Sequence, residues 1–481
     1  QEVEQMNLFK DMVCYQEEVR DPSRMAEVLN RVIEKAIRGS APAQINVPRD
    51  YWTQVIDIDL PPIVRLERQA GGTEAIDKAA KLLSDAKFPV ILSGAGVVIG
   101  GAIDDCVKLA EKLDSPVCSG YQHNDSFPGS HPLAVGPLGY NGSKAGMELI
   151  AKADVVLALG TRLNPFSTLP GYGIDYWPKN AKIIQVDINS DRIGLTKKVT
   201  VGICGDAKLV AQQLLNKLSS KAGDADRAKR KDLIHQTKSA WLQKLSSLDH
   251  EDDDPGTVWN KEARERDKDR MSPRQAWRAI QAGMPKDVII SSDIGNNCAI
   301  GNAYPTFEKG RKYLAPGLFG PCGYGFPSIL GAKIGCPDTP VIGFAGDGAF
   351  GISMNEMSSC ARKEWPAISM VIFRNYQWGA EKRNSILWFD DNFIGTELDP
   401  ELSFAKVANA CGLKGVTVKT MEETTKAIKQ SCEDQTKGIT TFIEVILNQE
   451  LGEPFRRDAM KKPVRVAGIK KEDMKTQKSL N

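Results

Sequence analysis

Apolar and polar positions fall into alternating blocks through the second half of the chain. Val341-Ile342-Gly343-Phe344-Ala345 is a short apolar run bounded by Pro340 and a glycine turn, the pattern of a strand buried on both faces. Phe350, Met354, Met357 and Ala361 then recur at helical spacing, which predicts an amphipathic helix ending before Pro366. Residues 368–373 form a second buried run. In this β-α-β unit Gly346-Asp347-Gly348 closes the first strand and Asn375 follows the second. Asp347 and Asn375 are therefore expected side by side at the carboxyl edge of a parallel sheet, where open α/β sheets bind ligands.

Similar blocks continue upstream. Apolar runs near 90–93, 155–159 and 183–187, each followed by glycine or polar turn residues, predict a doubly wound α/β domain over about 71–216. Residues 25–37 have helical periodicity, and Gln44-Ile45-Asn46-Val47-Pro48 follows as a short strand. Ser272-Pro273-Arg274-Gln275 has the serine, proline and glutamine of a helix start with a capping box. It opens a third region, 272–450, whose first strand at Val288-Ile289-Ile290 runs into Ser291-Ser292-Asp293-Ile294-Gly295-Asn296-Asn297. Between the two domains, 217–271 is mixed in charge and expected as a solvated linker with helical pieces. A basic tail occupies 451–481.

The candidate chemistry sits at those strand ends. Asp347 and Asn375 are oxygen donors suited to a hard cation, with the backbone carbonyl of Gln377 as a natural third ligand. Mg²⁺ favours such near-octahedral oxygen sites and commonly shares its shell with phosphate oxygens. Asp-Gly alone is ordinary turn punctuation, so the weight rests on the combination and its spacing, which reads as a metal–diphosphate site. Backbone amides and small polar side chains at Gly295, Asn296 and Asn297 are suited to a diphosphate. Gly94-Ala95-Gly96 invites a dinucleotide reading, but the next glycine is Gly100, one residue late for that fingerprint.

Composition narrows the classes. The 481 residues carry 63 basic and 61 acidic side chains, a balance that gives no electrostatic case for nucleic acid or an anionic membrane as partner. No apolar run approaches the roughly 20 residues needed to cross a bilayer. The ten cysteines include no Cys-x-x-Cys pair and the histidines number four, which fits reduced thiols and a cytoplasmic location better than a disulfide framework or a zinc site.

Gly346-Asp347-Gly348 followed by Asn375 resembles the motif of the thiamine diphosphate-dependent acetolactate synthase/pyruvate oxidase superfamily. Within it the chain resembles the sulfoacetaldehyde acetyltransferases. That likeness is carried by Gly320-Pro321-Cys322-Gly323-Tyr324-Gly325-Phe326-Pro327, Gln377-Trp378-Gly379-Ala380-Glu381-Lys382, Leu387-Trp388-Phe389 and the tail Phe455-Arg456-Arg457-Asp458-Ala459-Met460-Lys461-Lys462-Pro463. The resemblance implies thiamine diphosphate and Mg²⁺ as cofactors, with Asp347, Asn375 and Gln377 at the metal. It implies a cofactor cradle of Gly295, Asn296, Asn297, Cys322, Tyr324, Gly346, Asp347, Gly348, Ala349, Asn375, Gln377, Trp378 and Gly379. Cys322 falls where relatives place a bulky apolar support for the bent cofactor.

The implied reaction takes sulfoacetaldehyde and phosphate to acetyl phosphate and sulfite in a homodimer or homotetramer, with no redox partner. Acetolactate synthase or 2-oxo acid decarboxylase chemistry is the alternative on this scaffold, and a non-catalytic fragment or regulatory paralogue is a second. Two anions must be recruited. Lys382 and Arg383 are nearest in sequence, with Arg456, Arg457, Lys461 and Lys462 in the tail, though each is equally suited to a solvated surface. Trp378, Trp388 and Phe389 are candidate pocket walls or core. The resemblance further implies that 1–60 is the end of a pyrimidine-binding domain whose preceding part, with the cofactor-activating glutamate, is absent, so no catalytic residue is assigned.

Overall fold

Residues 2–62, 67–139, 141–219, 227–247, 265, 267–317, 319–362, 364–388 and 393–451 are described by a computed structural model of the chain. Phe389, the Trp388 side chain, most of the acidic stretch before Asp267 and the basic tail lie outside the described residues.

The chain divides into a unit spanning Gln1–Glu67 and a larger one spanning Arg68–Asn481. In the first, strands β1 (Tyr15–Glu18) and β2 (Ala43–Asn46) pair in parallel. The helix Met25–Gly39 connects them and buries Val28 and Val32. Its end is marked by Ser40 in the left-handed region at φ +47°, which satisfies the last carbonyls.

The larger unit contains two six-stranded sheets. The first has β3 (Pro89–Ser93), β4 (Val117–Gly120), β5 (Ala134–Leu138), β6 (Val155–Leu159), β7 (Lys182–Asp187) and β8 (Val201–Cys204) in the order β5-β4-β3-β6-β7-β8. All its pairings are parallel. The second has β9 (Ile289–Ser292), β10 (Tyr313–Leu314), β11 (Val341–Gly346), β12 (Ser369–Arg374), β13 (Lys414–Val418) and β14 (Thr441–Ile446) in the order β10-β9-β11-β12-β14-β13, again all parallel. In each sheet the order reverses beside the first strand, which creates the crevice that α/β folds use for ligands.

Alternation along β11 explains its apolar run. Ile342 and Phe344 pack with Trp277 and Phe373 on one face, while Val341 and Ala345 pack with Phe326 and Phe350 on the other. A strand covered by helices on both sides has no polar face to show. The helix Pro273–Gly283 starts as expected, with Ser272 accepting from the Gln275 amide at 3.1 Å and Gln275 accepting from the Ser272 amide at 2.9 Å.

Three expectations change. β4, β5 and β8 escape the apolar-run criterion because Ser119, Gly136, Pro137 and Gly202 interrupt them. The helix expected after Gly348 is broken into Asp347–Ser353, a 3₁₀ turn at Met354–Glu356 and Met357–Cys360, although Phe350 and Met357 still point into one core. The stretch expected as solvated linker contains a packed helix, Arg227–Ser247, which buries Arg230, Ile234, Trp241 and Leu245. Arg230 donates to the carbonyls of Lys87, Leu113 and Asp114 at 2.6, 2.9 and 3.0 Å. A charge that reads as solvating in sequence is thus spent on an otherwise open helix end.

Candidate functional site

Gly346 pairs with Phe373 across β11 and β12, so Asp347 and Arg374 stand next to each other at the sheet edge. Asp347 is only 2% exposed. Its Oδ2 accepts from Arg374 Nη1 at 3.0 Å and from the Tyr376 amide at 2.7 Å, while among the described residues Oδ1 accepts only the Gly348 amide at 3.0 Å. Burial pushes this carboxyl up to about 6 against the pull of Arg374 and the two amides. Desolvation therefore outweighs a buried ion pair here.

Arg374 is itself held in place. It is 1% exposed, donates to the carbonyls of Asp399 and Leu402, lies 3.9 Å from Glu444 and stacks 4.2 Å from the Tyr376 ring centroid. Tyr376 adopts φ +62°, an uncommon conformation for a bulky residue. That turn sets Asn375 and Gln377 on the same edge, both buried. Gln377 Nε2 donates to the Gln449 carbonyl at 3.1 Å, while its Oε1 has no hydrogen-bond partner among the described residues, and neither does Asn297 Oδ1.

This donor set suits a hard cation. One oxygen of Asp347 is fixed by two donors, the other keeps an open lone pair, and the neighbouring side chains offer amide oxygens instead of nitrogen or sulfur ligands. Among the described residues no three His, Cys, Asp or Glu side chains cluster as a metal site. An ion at this edge would rely on Asp347 and amide or carbonyl oxygens.

Close approaches fix Gly348 and Gly379, whereas a Cβ on Gly346 would meet nothing within 4 Å. A Cβ on Gly348 would stand 2.8 Å from the Trp378 ring, and one on Gly379 would stand 3.1 Å from Asn296 Nδ2. The turn after β11 and the turn after β12 are thereby packed against one another and against the turn after β9. Ala349, by contrast, is committed to the apolar cluster around Phe350.

Asp293, whose place in the run after β9 does not reveal a role, holds the glycine-rich segment. Its Oδ1 accepts from the amides of Ile294 at 2.8 Å and Gly323 at 3.1 Å, and its Oδ2 from the Gly325 amide at 2.7 Å. Cys322 and Tyr324 therefore ride on a loop anchored to the end of β9. Cys322 packs partly buried beside the Phe326 cluster, and burial, reinforced by Asp293, pushes its thiol up. It has the surroundings of a packing residue and not of an activated nucleophile.

The two anion-binding candidates part company. Lys382 Nζ contacts the Glu397 carboxylate, lies 3.4 Å from Gln449 Oε1 and sits over the Phe393 ring. Arg383 is 4% exposed and lines a cavity of about 320 Å³ together with Gly295 and Asn296. All ten cysteines are unpaired with one another, and among the described residues no helix is long and apolar enough to cross a membrane.

Two family models give the class of the chain, a thiamine diphosphate-dependent enzyme. Residues 76–214 match the thiamine pyrophosphate enzyme central domain, and residues 293–445 match the C-terminal TPP binding domain of the same enzymes. A solved benzoylformate decarboxylase from Polynucleobacter necessarius shares the fold, with a TM-score of 0.71 at 19% identity over 93% of this chain and 78% of that one.

Sequence relatives narrow the class. The chain is 77% identical over 480 residues to a probable sulfoacetaldehyde acetyltransferase of Rhizobium meliloti (strain 1021), covering 100% of this chain and 81% of that protein. It is 74% identical over 477 residues to the sulfoacetaldehyde acetyltransferase of Roseovarius nubinhibens, covering 99% and 79%. The chain belongs to the sulfoacetaldehyde acetyltransferase family.

Proposed function

We propose that this chain binds thiamine diphosphate and Mg²⁺ at the common edge of β9, β11 and β12, and with them converts sulfoacetaldehyde and phosphate to acetyl phosphate and sulfite. The observation that carries this reading is the Asp347 carboxylate, held by Arg374 and the Tyr376 amide on one oxygen and accepting the Gly348 amide on the other, which keeps a second lone pair for an ion. When bound, thiamine diphosphate supplies the carbon nucleophile and the electron sink that the protein lacks.

The chain's own residues bind and orient. Asp347 Oδ1, the Asn375 side chain and the Gln377 backbone carbonyl hold the ion, and Gly295, Asn296 and Asn297 cradle the diphosphate. Trp378, pressed on Gly348, keeps the two motif turns in register and water out from between them. Asp293 fixes the loop bearing Cys322 and Tyr324. The overall reaction breaks the carbon–sulfur bond and the aldehyde carbon–hydrogen bond, forms a carbon–oxygen bond to phosphate and a carbon–hydrogen bond at the carbon that lost sulfite, and is redox-neutral. In the same reading the protein acts in the cytoplasm as a homodimer or homotetramer.

The test is release of sulfite and acetyl phosphate from sulfoacetaldehyde plus phosphate, with thiamine diphosphate and Mg²⁺ present and Asp347→Ala as control. Equimolar products lost in the variant support the assignment. Turnover of pyruvate with no sulfite release would overturn the substrate while leaving the cofactor site intact.

A further inference from the structure

The cavity beside Gly295 and Asn296 has two walls of different origin. One belongs to the second sheet and includes Arg383, and the other is built from Tyr121, Gln122 and Asn164 of the first sheet. Tyr121 and Gln122 follow β4 and Asn164 lies beyond β6, the strands on either side of β3. This wall is therefore the switch-point edge of the first sheet, turned toward the cofactor edge of the second.

Gln122 bridges the two walls. A Cβ on Gly317 would lie 2.3 Å from Gln122 Oε1, so the absence of a side chain at 317 is what lets the amide lie flat against the opposite loop. Arg383 is in the wall, whereas Arg162, whose electrostatic neighbours include Tyr121, His123, Asp187 and Arg192, does not line the cavity. Gln185, itself buried, ties the two arginine loops together by donating to the carbonyls of Thr161 and Arg192, both at 3.2 Å.

Two carboxylates also line the cavity, and the charge of each is felt at the Cys322 thiol. Glu381 lines it but is exposed, and both oxygens of Asp293 are taken up by backbone amides.

We propose that this cavity is the recognition pocket for a tetrahedral oxyanion, the group shared by phosphate and an alkyl sulfonate, and that Arg383, Gln122 and Asn164 decide which oxyanion enters. The inference rests on the proposed reaction and deepens it. A planar guanidinium pairs two oxygens of such an anion at once, and neutral amides satisfy the rest without adding charge. Because Gly295 and Asn296 share the cavity, an anion on Arg383 lies next to the cofactor cradle.

The experiment uses the full chain loaded with thiamine diphosphate and Mg²⁺. Michaelis constants for phosphate and for sulfoacetaldehyde are measured in the wild type, Arg383→Gln, Arg383→Lys and Gln122→Leu. Binding of inorganic phosphate and of methanesulfonate is measured in parallel by calorimetry, without turnover. Arg383→Gln is expected to raise one Michaelis constant about tenfold to a hundredfold, Arg383→Lys to recover part of it, and Gln122→Leu to raise the same constant about three- to tenfold.

A shift confined to phosphate makes the pocket the acceptor site, and one confined to sulfoacetaldehyde makes it the sulfonate site. If kcat falls while both Michaelis constants and both binding isotherms stay put, the proposal is wrong. Gln122→Leu decides the matter should the buried Arg383 variants not fold. Phosphate binding that depends on Arg383 in a protein releasing no acetyl phosphate would keep the pocket and overturn the reaction. Normal turnover in indifferent variants would do the reverse.

Discussion

Replacing Gly348 by alanine tests whether the metal-side turn is shaped by Trp378. The added methyl would stand 2.8 Å from Cδ2 and Cε3 of that ring and 2.9 Å from Cε2, whereas carbon pairs settle at about 3.5–4.0 Å. The ring must therefore retreat by about 1 Å. It cannot do so alone, because the Trp378 amide is held to the Thr396 carbonyl at 2.8 Å and Gln377 beside it is tied to the Gln449 carbonyl. Overpacking of this kind costs about 1–3 kcal/mol, and a shift of about 1 Å in a positioned ligand costs about a hundredfold in rate.

The same helix contains its own control. A Cβ on Gly351, in Asp347–Ser353, meets nothing within 4 Å, so Gly351→Ala should gain about 0.5–1 kcal/mol from the lost flexibility of the unfolded chain. Gly348→Ala gains the same from the unfolded chain, so the two alanines should differ by the overpacking cost alone, about 1–3 kcal/mol in stability. Urea unfolding of the cofactor-free protein gives that difference, and titration with thiamine diphosphate and Mg²⁺, followed by tryptophan fluorescence, gives the effect on binding. Gly348→Ala should bind at least about tenfold more weakly and Gly351→Ala like the wild type. Variants indistinguishable in both assays would refute the packing argument.

Three further outcomes follow from the geometry. The folded protein holds the Asp347 proton more tightly than the unfolded chain, so stability from this group is present below the ordinary value of 3.8 and is lost as pH rises to about 6. At about 1.4 kcal/mol per tenfold, the 2.2 between those values amounts to about 3 kcal/mol. The metal-free wild type should accordingly lose that much relative to Asp347→Asn between about pH 4 and 6, and a pH-independent difference between their unfolding curves would contradict it. Asp293→Ala should release the amides of Ile294, Gly323 and Gly325, at a cost of about 2–4 kcal/mol, and unchanged hydrogen exchange at Gly323 and Gly325 would show that the clamp is wrongly drawn. Arg230→Met strands the carbonyls of Lys87, Leu113 and Asp114 and should cost about 2–4 kcal/mol, seen as a lower melting temperature and faster proteolysis within 227–247.

Much of the second sheet is legible in sequence because buried parallel strands leave a plain trace. The runs ending at Gly346 and Phe373 need no partner information to be recognised, and the capping box at Ser272 is a local event. β5 is not legible, since Gly136 and Pro137 sit inside it and its place beside β4 depends on tertiary context. Arg230 reads as a solvated charge because its partners are backbone carbonyls more than a hundred residues away. Asp293 is similar. An acid after a strand suggests a turn, and only the fold brings Gly323 and Gly325 onto it.

Lys382 and Arg383 mark the limit of such reading. They are adjacent in sequence and identical in formal charge, yet Lys382 is matched by Glu397 and Arg383 lies in the cavity wall. Successive residues on a helix point about 100° apart, so neighbours in a charged pair rarely share an environment.

Arg374 alters the electrostatics of the metal edge in a way that the Gly-Asp-Gly and Asn elements do not reveal. Its register opposite Asp347 places one positive charge among two buried negative ones, Asp347 and Glu444, leaving a net formal charge of one negative. A divalent ion on Asp347 Oδ1 is then undercompensated by the protein, and burial makes that deficit costly. Diphosphate oxygens would, under the proposed reading, supply the missing charge. Under the proposed reading, Arg374 thus does two things with one side chain. It turns Asp347 so that a single oxygen faces the ion, and it withholds enough negative charge that ion and diphosphate are held best together.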